Sequence, residues 1–248
     1  MDLTVSTFAL IGFASFLGVF VQRVSGFGYG VIVMMFYPLI LGFGESTALS
    51  GIGSLVASCV VAYTMRGSQC MKKVILPLIP YCIISCFAMV FVKNAAPSLL
   101  MLLLGIALCA MSIYFTFFSG RISIKANTKN AMISGSIGGV LSGMFSMGGP
   151  PMVVYFLSCS HSKDEYLANI QYFFVISNAV TTVGRMANGF ITEKVLLLMI
   201  PSIAAMLLAN YIGGKVYNKI SADTLRKVIY GVVGFCGALT ILRATVLA

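Results

Sequence analysis

Two glycine-rich stretches interrupt an apolar chain, reading SGFGYG at residues 25–30 and SMGGPP at residues 146–151. Around them, 59% of the 248 residues are apolar and only 9% are charged. Soluble domains carry about 25% charged residues, so a surface of this composition cannot face water. The composition therefore predicts an integral membrane protein.

Ten apolar segments are predicted, and the two that follow the glycine-rich stretches are short. At 1.5 Å per residue, segments 29–43 and 149–160 reach only about 22 Å and 18 Å, against a hydrocarbon core of roughly 30 Å. Irregular backbone at membrane depth is tolerated only where protein or a water-filled cavity lines it, so both read as half-helices in broken, re-entrant hairpins. The segments are 3–22, 29–43, 46–65, 74–92, 97–118, 130–147, 149–160, 167–188, 195–214 and 228–247.

Basic residues indicate the orientation of these segments. The net charge of +10 comes largely from loops 66–73, 119–129 and 215–227, which the positive-inside rule places in the cytoplasm. This excludes the nucleic-acid partner that such a charge would suggest in a soluble protein. With ten crossings, both chain termini are predicted outside.

The chain also resembles itself at a shift of 120 residues, which aligns Gly28 with Gly148 and Glu45 with Glu165. Five segments separate the matching points, so the second half must be inserted upside down relative to the first. We therefore predict an all-α polytopic membrane protein with an inverted-topology repeat of five plus five segments. One transmembrane domain, 1–248, would contain repeat one (1–118), a cytoplasmic linker (119–129) and repeat two (130–248).

Each glycine break precedes a helix start, where unbonded N–H groups and the helix dipole favour an anion. Inverted symmetry would aim the two starts at one ligand near the midplane. In the alternative interpretation, these glycines only let helices pack closely, as expected for the GxxxGxxxG spacing at 135–143. The candidate substrate-binding residues of the breaks are Ser25, Gly26, Phe27, Gly28, Tyr29, Gly30, Ser146, Met147, Gly148 and Gly149.

Segment 167–188 places Gln171, Asn178 and Arg185 at seven-residue intervals on one helix face. Polar groups inside a membrane are costly and usually face a cavity, so these three are further candidate substrate-binding residues. Hydrogen bonds between helices, and snorkelling of Arg185 to the interface, are the alternative. Gln22 and Arg23 precede the first break, and Arg23 is either a buried anion partner or another cytoplasmic charge.

All six acidic residues fall at segment ends or in loops, so no membrane carboxylate is predicted to hold Na⁺ or relay protons. No metal site, cofactor or enzyme active site is predicted. The charge inventory weakly favours efflux of an anion, because a membrane potential that is negative inside drives anions outward.

A family resemblance rests on two motifs, QRVSGFGYGVIVMMFYP (22–38) and SGMFSMGGPPMVVYF (142–156). They resemble the paired glycine-rich motifs of the sulfite exporter TauE/SafE family, also called the toluene-sulfonate uptake permease family. Tyr29 and Pro150 depart from the small residues typical of those motifs. The resemblance implies transport of small sulfur-containing anions, such as sulfite or sulfonates, across the inner membrane of a bacterium or archaeon. The inverted repeat itself predicts that such a carrier works by alternating access.

Two other transport functions remain open at this point, a passive anion channel and an uptake carrier coupled to a cation. The sequence also leaves open which anion is carried, in which direction, and whether the chain forms a homodimer.

Overall fold

The computed structural model describes residues 4–118, 125–216, 237–238 and 240–242. Within them the chain is helical, with no strand, which confirms the all-α prediction. A 3-10 turn, Tyr37–Leu39, extends the second helix. The helices are α1 (Val5–Ser25), α2 (Tyr29–Phe36), α3 (Phe43–Thr64), α4 (Met71–Asn94), α5 (Pro97–Phe118), α6 (Thr128–Phe145), α7 (Gly149–Cys159), α8 (Lys163–Ala187) and α9 (Glu193–Val216).

Five of these helices are long and apolar enough to cross a membrane, namely α1, α3, α4, α5 and α9. The two short apolar helices are 29–39 and 149–159, at the positions where half-helices were predicted. Nine of the ten predicted segments thus have a matching helix in the described residues. The tenth segment, 228–247, and most of the linker 119–129 lie outside those residues.

Three helix pairs form the body of the molecule: α1 packs on α9, α4 packs on α6, and α3 packs on α8. A shift of 120 residues matches α1 with α6, α3 with α8 and α4 with α9. The α1–α9 pair therefore corresponds to the α6–α4 pair, and the α3–α8 pair corresponds to itself. The α3 helix is the most buried of the five candidate spans. In α3, 56% of an 18-residue apolar stretch is buried inside the protein, against 28% in α4. The α3–α8 pair is therefore the axis around which the two broken helices are arranged.

Glycines let α6 approach α4 at backbone distance. A Cβ atom on Gly139 would lie 2.7 Å from the carbonyl oxygen of Tyr81, and one on Gly143 would overlap the carbonyl of Ser85. The GxxxGxxxG spacing is thus used for packing, as its alternative interpretation proposed. This close contact places Tyr81 of α4 next to the second glycine break.

Candidate functional site

The two glycine breaks share a left-handed corner but differ at the next glycine, where φ is 109° in Gly28 and −71° in Gly148. The first helix of each hairpin ends at a residue with positive φ, Gly26 at 86° and Ser146 at 60°. Two residues later the half-helix begins from Gly28 or Gly148. Glycine adopts positive φ readily, whereas the left-handed conformation of Ser146 costs roughly 1–2 kcal/mol. The same reversal therefore occurs at equivalent positions in both halves of the chain.

The two breaks touch each other. A side chain at Gly30 would overlap the carbonyl oxygen of Ser146, and a Cβ on Gly149 would lie 3.3 Å from the Cβ of Phe27. Residues 29–31 and 149–152 thus begin their half-helices side by side. The sequence argument required the two breaks to meet, and in the structure they do.

A cavity lies where the breaks meet, with about 340 Å³ of empty space that includes solvent at its mouth. Ser54 and Asn178 line it from the middle of α3 and α8, which places the cavity halfway along the central helix pair. The lining residues are Gln22, Gly28, Tyr29, Gly30, Val31, Ser54, Tyr81, Ser146, Met147, Gly148, Gly149, Pro150, Phe174 and Asn178.

The cavity is electropositive through backbone rather than through charged side chains. Among the described residues that line it, none carries a charged side chain. The first turn of a helix has N–H groups without an intrahelical acceptor, and residues 29–31 of α2 supply three of them. In the first three positions of α7 only Gly149 supplies such a group, because Pro150 and Pro151 have no N–H.

Side chains of α8 cover the carbonyl groups where α1 ends. Gln171 donates from Nε2 to the carbonyl oxygen of Gly26 at 2.8 Å, and the Tyr166 hydroxyl donates to that of Ser25 at 3.3 Å. Exposed carbonyls at a helix end would repel an anion. By satisfying them, α8 leaves the N–H end of the next half-helix as the dominant group facing the cavity.

Arg185 covers a carbonyl group near the end of α6 in the same way. It is completely buried, at 0% exposure, and its Nη2 donates to the carbonyl oxygen of Ser142 at 2.8 Å. This burial contradicts the alternative that Arg185 snorkels to the interface. Gln171 and Arg185 thus contact the ends of the broken helices and do not line the cavity.

Two amide side chains connect the cavity to α3. Asn178 donates from Nδ2 to Oγ of Ser54 at 2.9 Å, and Gln22 donates from Nε2 to Oγ of Ser58 at 3.0 Å. Because Ser54 accepts this bond, its own hydroxyl hydrogen remains available to a ligand. Nε2 of Gln22 also donates to Oε1 of Gln171 at 3.2 Å. Because Gln171 in turn donates to the Gly26 carbonyl, this bond connects the cavity lining to the end of α1.

Some predicted residues lie elsewhere. Arg23 donates from Nη1 to the Thr64 hydroxyl at 3.3 Å, beside the exposed end of α3 and outside the cavity lining. The hydroxyl of Ser25 lies 2.8 Å and 2.7 Å from the carbonyl oxygens of Val21 and Phe27, which leaves it no hydrogen for an anion. The predicted residues outside the cavity lining are Arg23, Ser25, Gly26, Phe27, Gln171 and Arg185.

Tyr81 and Phe174 line the cavity without having been predicted. The Tyr81 hydroxyl lies against Gly148 because α6 packs so closely on α4. A tyrosine within the apolar segment 74–92 gave no signal of this, since its place depends on a contact between distant helices. Phe174 lies one turn before Asn178 on the same face of α8, so its position could have indicated that it lines the cavity.

Hydrogen bonds between the halves of the chain close both ends of the central helix pair. At one end, Lys73 Nζ lies 2.6 Å from Glu165 Oε1 and 2.5 Å from the Cys159 carbonyl oxygen. At the other end, the Thr192 hydroxyl donates to Glu45 Oε1 at 2.6 Å. The hydrogen bond from Lys73 holds the pKa of Glu165, which precedes its membrane segment, below the usual carboxyl value.

Comparison with known proteins gives one family over nearly the whole chain. The model of the family described as "Sulfite exporter TauE/SafE" matches residues 10–240. The chain is also similar to a Cupriavidus necator protein named "Probable sulfite/organosulfonate exporter TauE", at 24% identity over 243 residues that cover 95% of this chain and 94% of that protein. No solved structure matches the chain significantly. Because the family model spans both glycine breaks and the α3–α8 pair between them, the chain belongs to the sulfite exporter TauE/SafE family.

Proposed function

We propose that this protein is a secondary transporter that exports small sulfur-containing anions, such as sulfite or organosulfonates, by alternating access. The observation that carries the proposal is the meeting of two half-helix starts in one cavity at mid-length of the central helices. Family membership and the name of the Cupriavidus relative support the chemical class of the substrate.

The binding groups we propose are neutral donors. Backbone N–H groups of residues 29–31 and of Gly149 face the cavity region, with the hydroxyl of Ser54 and the amide of Asn178 beside them. In a medium of low dielectric constant, fixed dipoles replace the water around an oxyanion.

Alternating access requires that the cavity open to one side at a time. We propose that the halves 1–118 and 130–248 are inverted repeats that rock against each other. The helix pairing, which is preserved by the 120-residue exchange, supports this relation. The Lys73–Glu165 bond would close the cytoplasmic end and the Thr192–Glu45 bond the outer end, because each joins one half to the other.

The proposed orientation follows from the basic loops, with both termini outside and the membrane being the inner or plasma membrane of a prokaryote. An inside-negative potential of 100 mV is worth about 2.3 kcal/mol for each negative charge that moves outward. Export of a singly charged anion therefore needs no coupling ion. This supports efflux over cation-coupled uptake.

Reconstituted protein tests the proposal directly. We expect proteoliposomes to release sulfite or a small sulfonate faster than empty liposomes, and substrate on the far side to accelerate release. A passive channel shows no such acceleration, so that result would replace the carrier by a channel. Sulfate, thiosulfate and chloride complete the panel, and absence of flux for every sulfur anion would contradict the proposed function.

The variant Asn178→Leu tests whether the anion binds in the cavity. We expect it to reduce flux by about tenfold or more, because it removes the cavity amide and a donor to Ser54. Asn188→Ala is the matched control, since Asn188 lies at the end of the same helix and donates to the Gly184 carbonyl at 2.8 Å, outside the cavity. Equal loss in both variants would mean that α8 is merely destabilised.

A further inference from the structure

Arg185 is a buried cation that the cavity does not use. Its side chain has 0% exposure, and it lies seven residues beyond Asn178 on α8. At 1.5 Å per residue this is about 10 Å along the helix axis, towards the end where Thr192 and Glu45 meet. Burying a guanidinium away from water is costly unless its donors are satisfied, so its presence needs an explanation.

The hydrogen bond to Ser142 accounts for only one of the three guanidinium nitrogens. In the part of the chain that the structure describes, Nε and Nη1 of Arg185 have no hydrogen-bond partner. Buried donors without acceptors are rare and costly, and for a charged group the cost is largest. Capping of α6 alone therefore does not explain why this position carries an arginine.

No negative side chain compensates this charge among the described residues. The salt bridge they contain joins Lys73 and Glu165, and Glu45 accepts from Thr192. Beside the guanidinium lies Gly51 of α3, where a Cβ would be 2.5 Å from Nη1.

We propose that Arg185 forms a second anion-binding subsite, which receives the transported oxyanion on the outer side of the cavity. This inference rests on the proposed function and adds a second position to its pathway. In the present conformation Gly51 closes the space beside Nη1, so an anion reaches Arg185 when α3 and α8 separate at this level. The oxyanion then accepts a charge-assisted hydrogen bond from Nη1, the guanidinium nitrogen that lies beside Gly51.

Equilibrium binding to the purified full-length protein tests this subsite, with sodium sulfite and sodium methanesulfonate as probes. We expect two anions bound per wild-type chain, one per Arg185→Met chain, one per Asn178→Leu chain and none in the double variant. Transport should fall about tenfold in Arg185→Met and recover largely in Arg185→Lys, which keeps the charge. Arg66→Met is the control, because Arg66 is an exposed loop residue stacked on Tyr63.

A second variant tests the subsite if Arg185→Met does not fold. Gly51→Ala retains the arginine but displaces its flexible end, so it should weaken binding of the second anion while leaving the cavity anion bound. Unchanged stoichiometry and flux in both Arg185→Met and Gly51→Ala would overturn the subsite and leave Arg185 as a cap of α6. Wild-type protein that binds neither probe would refute the proposed function, and with it this inference.

Discussion

The two glycine breaks share a left-handed corner and the start of the following helix, but they differ in φ at Gly28 and Gly148 and in their side chains. Positive φ at residue 26 or 146 and a helix start near residue 29 or 149 recur after 120 residues. Yet the first break offers three backbone donors at the start of its half-helix, while two prolines leave the second with fewer. The corner thus recurs in both halves of the chain, whereas its chemistry differs between them.

The central helices show the same division. The polar residues Gln171, Asn178 and Arg185 of α8 correspond at the 120-residue shift to Gly51, Ser58 and Met65 of α3. Small residues on α3 make room for large ones on α8, as the contact of Gly51 with Arg185 shows. We infer that one half supplies most of the polar side chains and the other the space in which they fit.

The largest expected effect comes from filling the contact between the breaks. Gly30→Ala should abolish transport, because the added Cβ would overlap the backbone carbonyl of Ser146 and backbone cannot move aside cheaply. Overpacking of this kind costs about 1–3 kcal/mol. The measurement is sulfite flux in proteoliposomes at matched protein density.

Gly12→Ala in α1 is the control, because its nearest atom other than the helix itself would lie 3.9 Å from the new Cβ. It should transport as the wild type does. Full transport by Gly30→Ala would show that the breaks need not touch, and the comparison between them would lose its functional meaning.

An exchange of corner residues should have a smaller effect, of opposite sign in the two halves. Ser146→Gly should stabilise the protein by about 1 kcal/mol, because it removes the cost of a left-handed serine. Gly26→Ser should destabilise it by at least as much, since Gly26 has φ 86° and a Cβ would lie 3.1 Å from the Tyr166 hydroxyl.

Thermal unfolding in detergent measures both changes, and 1 kcal/mol corresponds to a shift of about 2–4 °C for a chain of this size. A decrease in both variants would mean that the Ser146 side chain contributes more than its backbone strain costs. The two corners would then differ in backbone demand as well as in side chains.

Periodicity and composition predicted most of the fold, for local reasons. Hydrophobic length and the glycine breaks predicted the helices, and the short segments at 29–43 and 149–160 correspond to the short apolar helices 29–39 and 149–159. These features depend on residues close together in sequence. The identical φ reversal at Gly26 and Ser146 followed from the 120-residue alignment, although a serine at the second corner gave no sign of positive φ.

The site was less predictable because it depends on contacts between distant helices. The seven-residue spacing correctly placed Asn178 at the cavity, but it could not distinguish a residue that lines the cavity from one that covers a carbonyl, as Gln171 does. Tyr81 reaches the cavity only because glycines of α6 admit α4. Arg23 and Arg185 carry the same charge. Arg23 of α1 contacts Thr64 at the exposed end of α3, whereas Arg185 is buried, and only the tertiary arrangement distinguishes these two environments.

The smallest expected effect concerns the two ends of the α3–α8 pair, where one bond is ionic and the other joins a hydroxyl to a carboxylate. Lys73→Met should lower stability by about 1 kcal/mol or less, since Lys73 and Glu165 keep 24% and 17% of their side chains exposed. The difference from wild type should shrink in high salt, because salt screens an exposed ion pair. Thr192→Val is the control at the other end. It should lower stability by a similar amount, and this loss should depend less on salt.

Acid should separate the ionic end from the rest of the fold. The pKa of Glu165 is lowered in the folded protein, so its stabilisation is complete above the pKa of the unfolded chain and is lost as the pH falls through the folded value. The unfolding temperatures of wild type and Lys73→Met should therefore differ most near neutral pH and converge in acid, because protonated Glu165 no longer pairs with a cation. A constant difference across pH and salt would mean that Lys73 acts mainly through the Cys159 carbonyl, and the proposed closing bonds at the two ends would then be alike in kind.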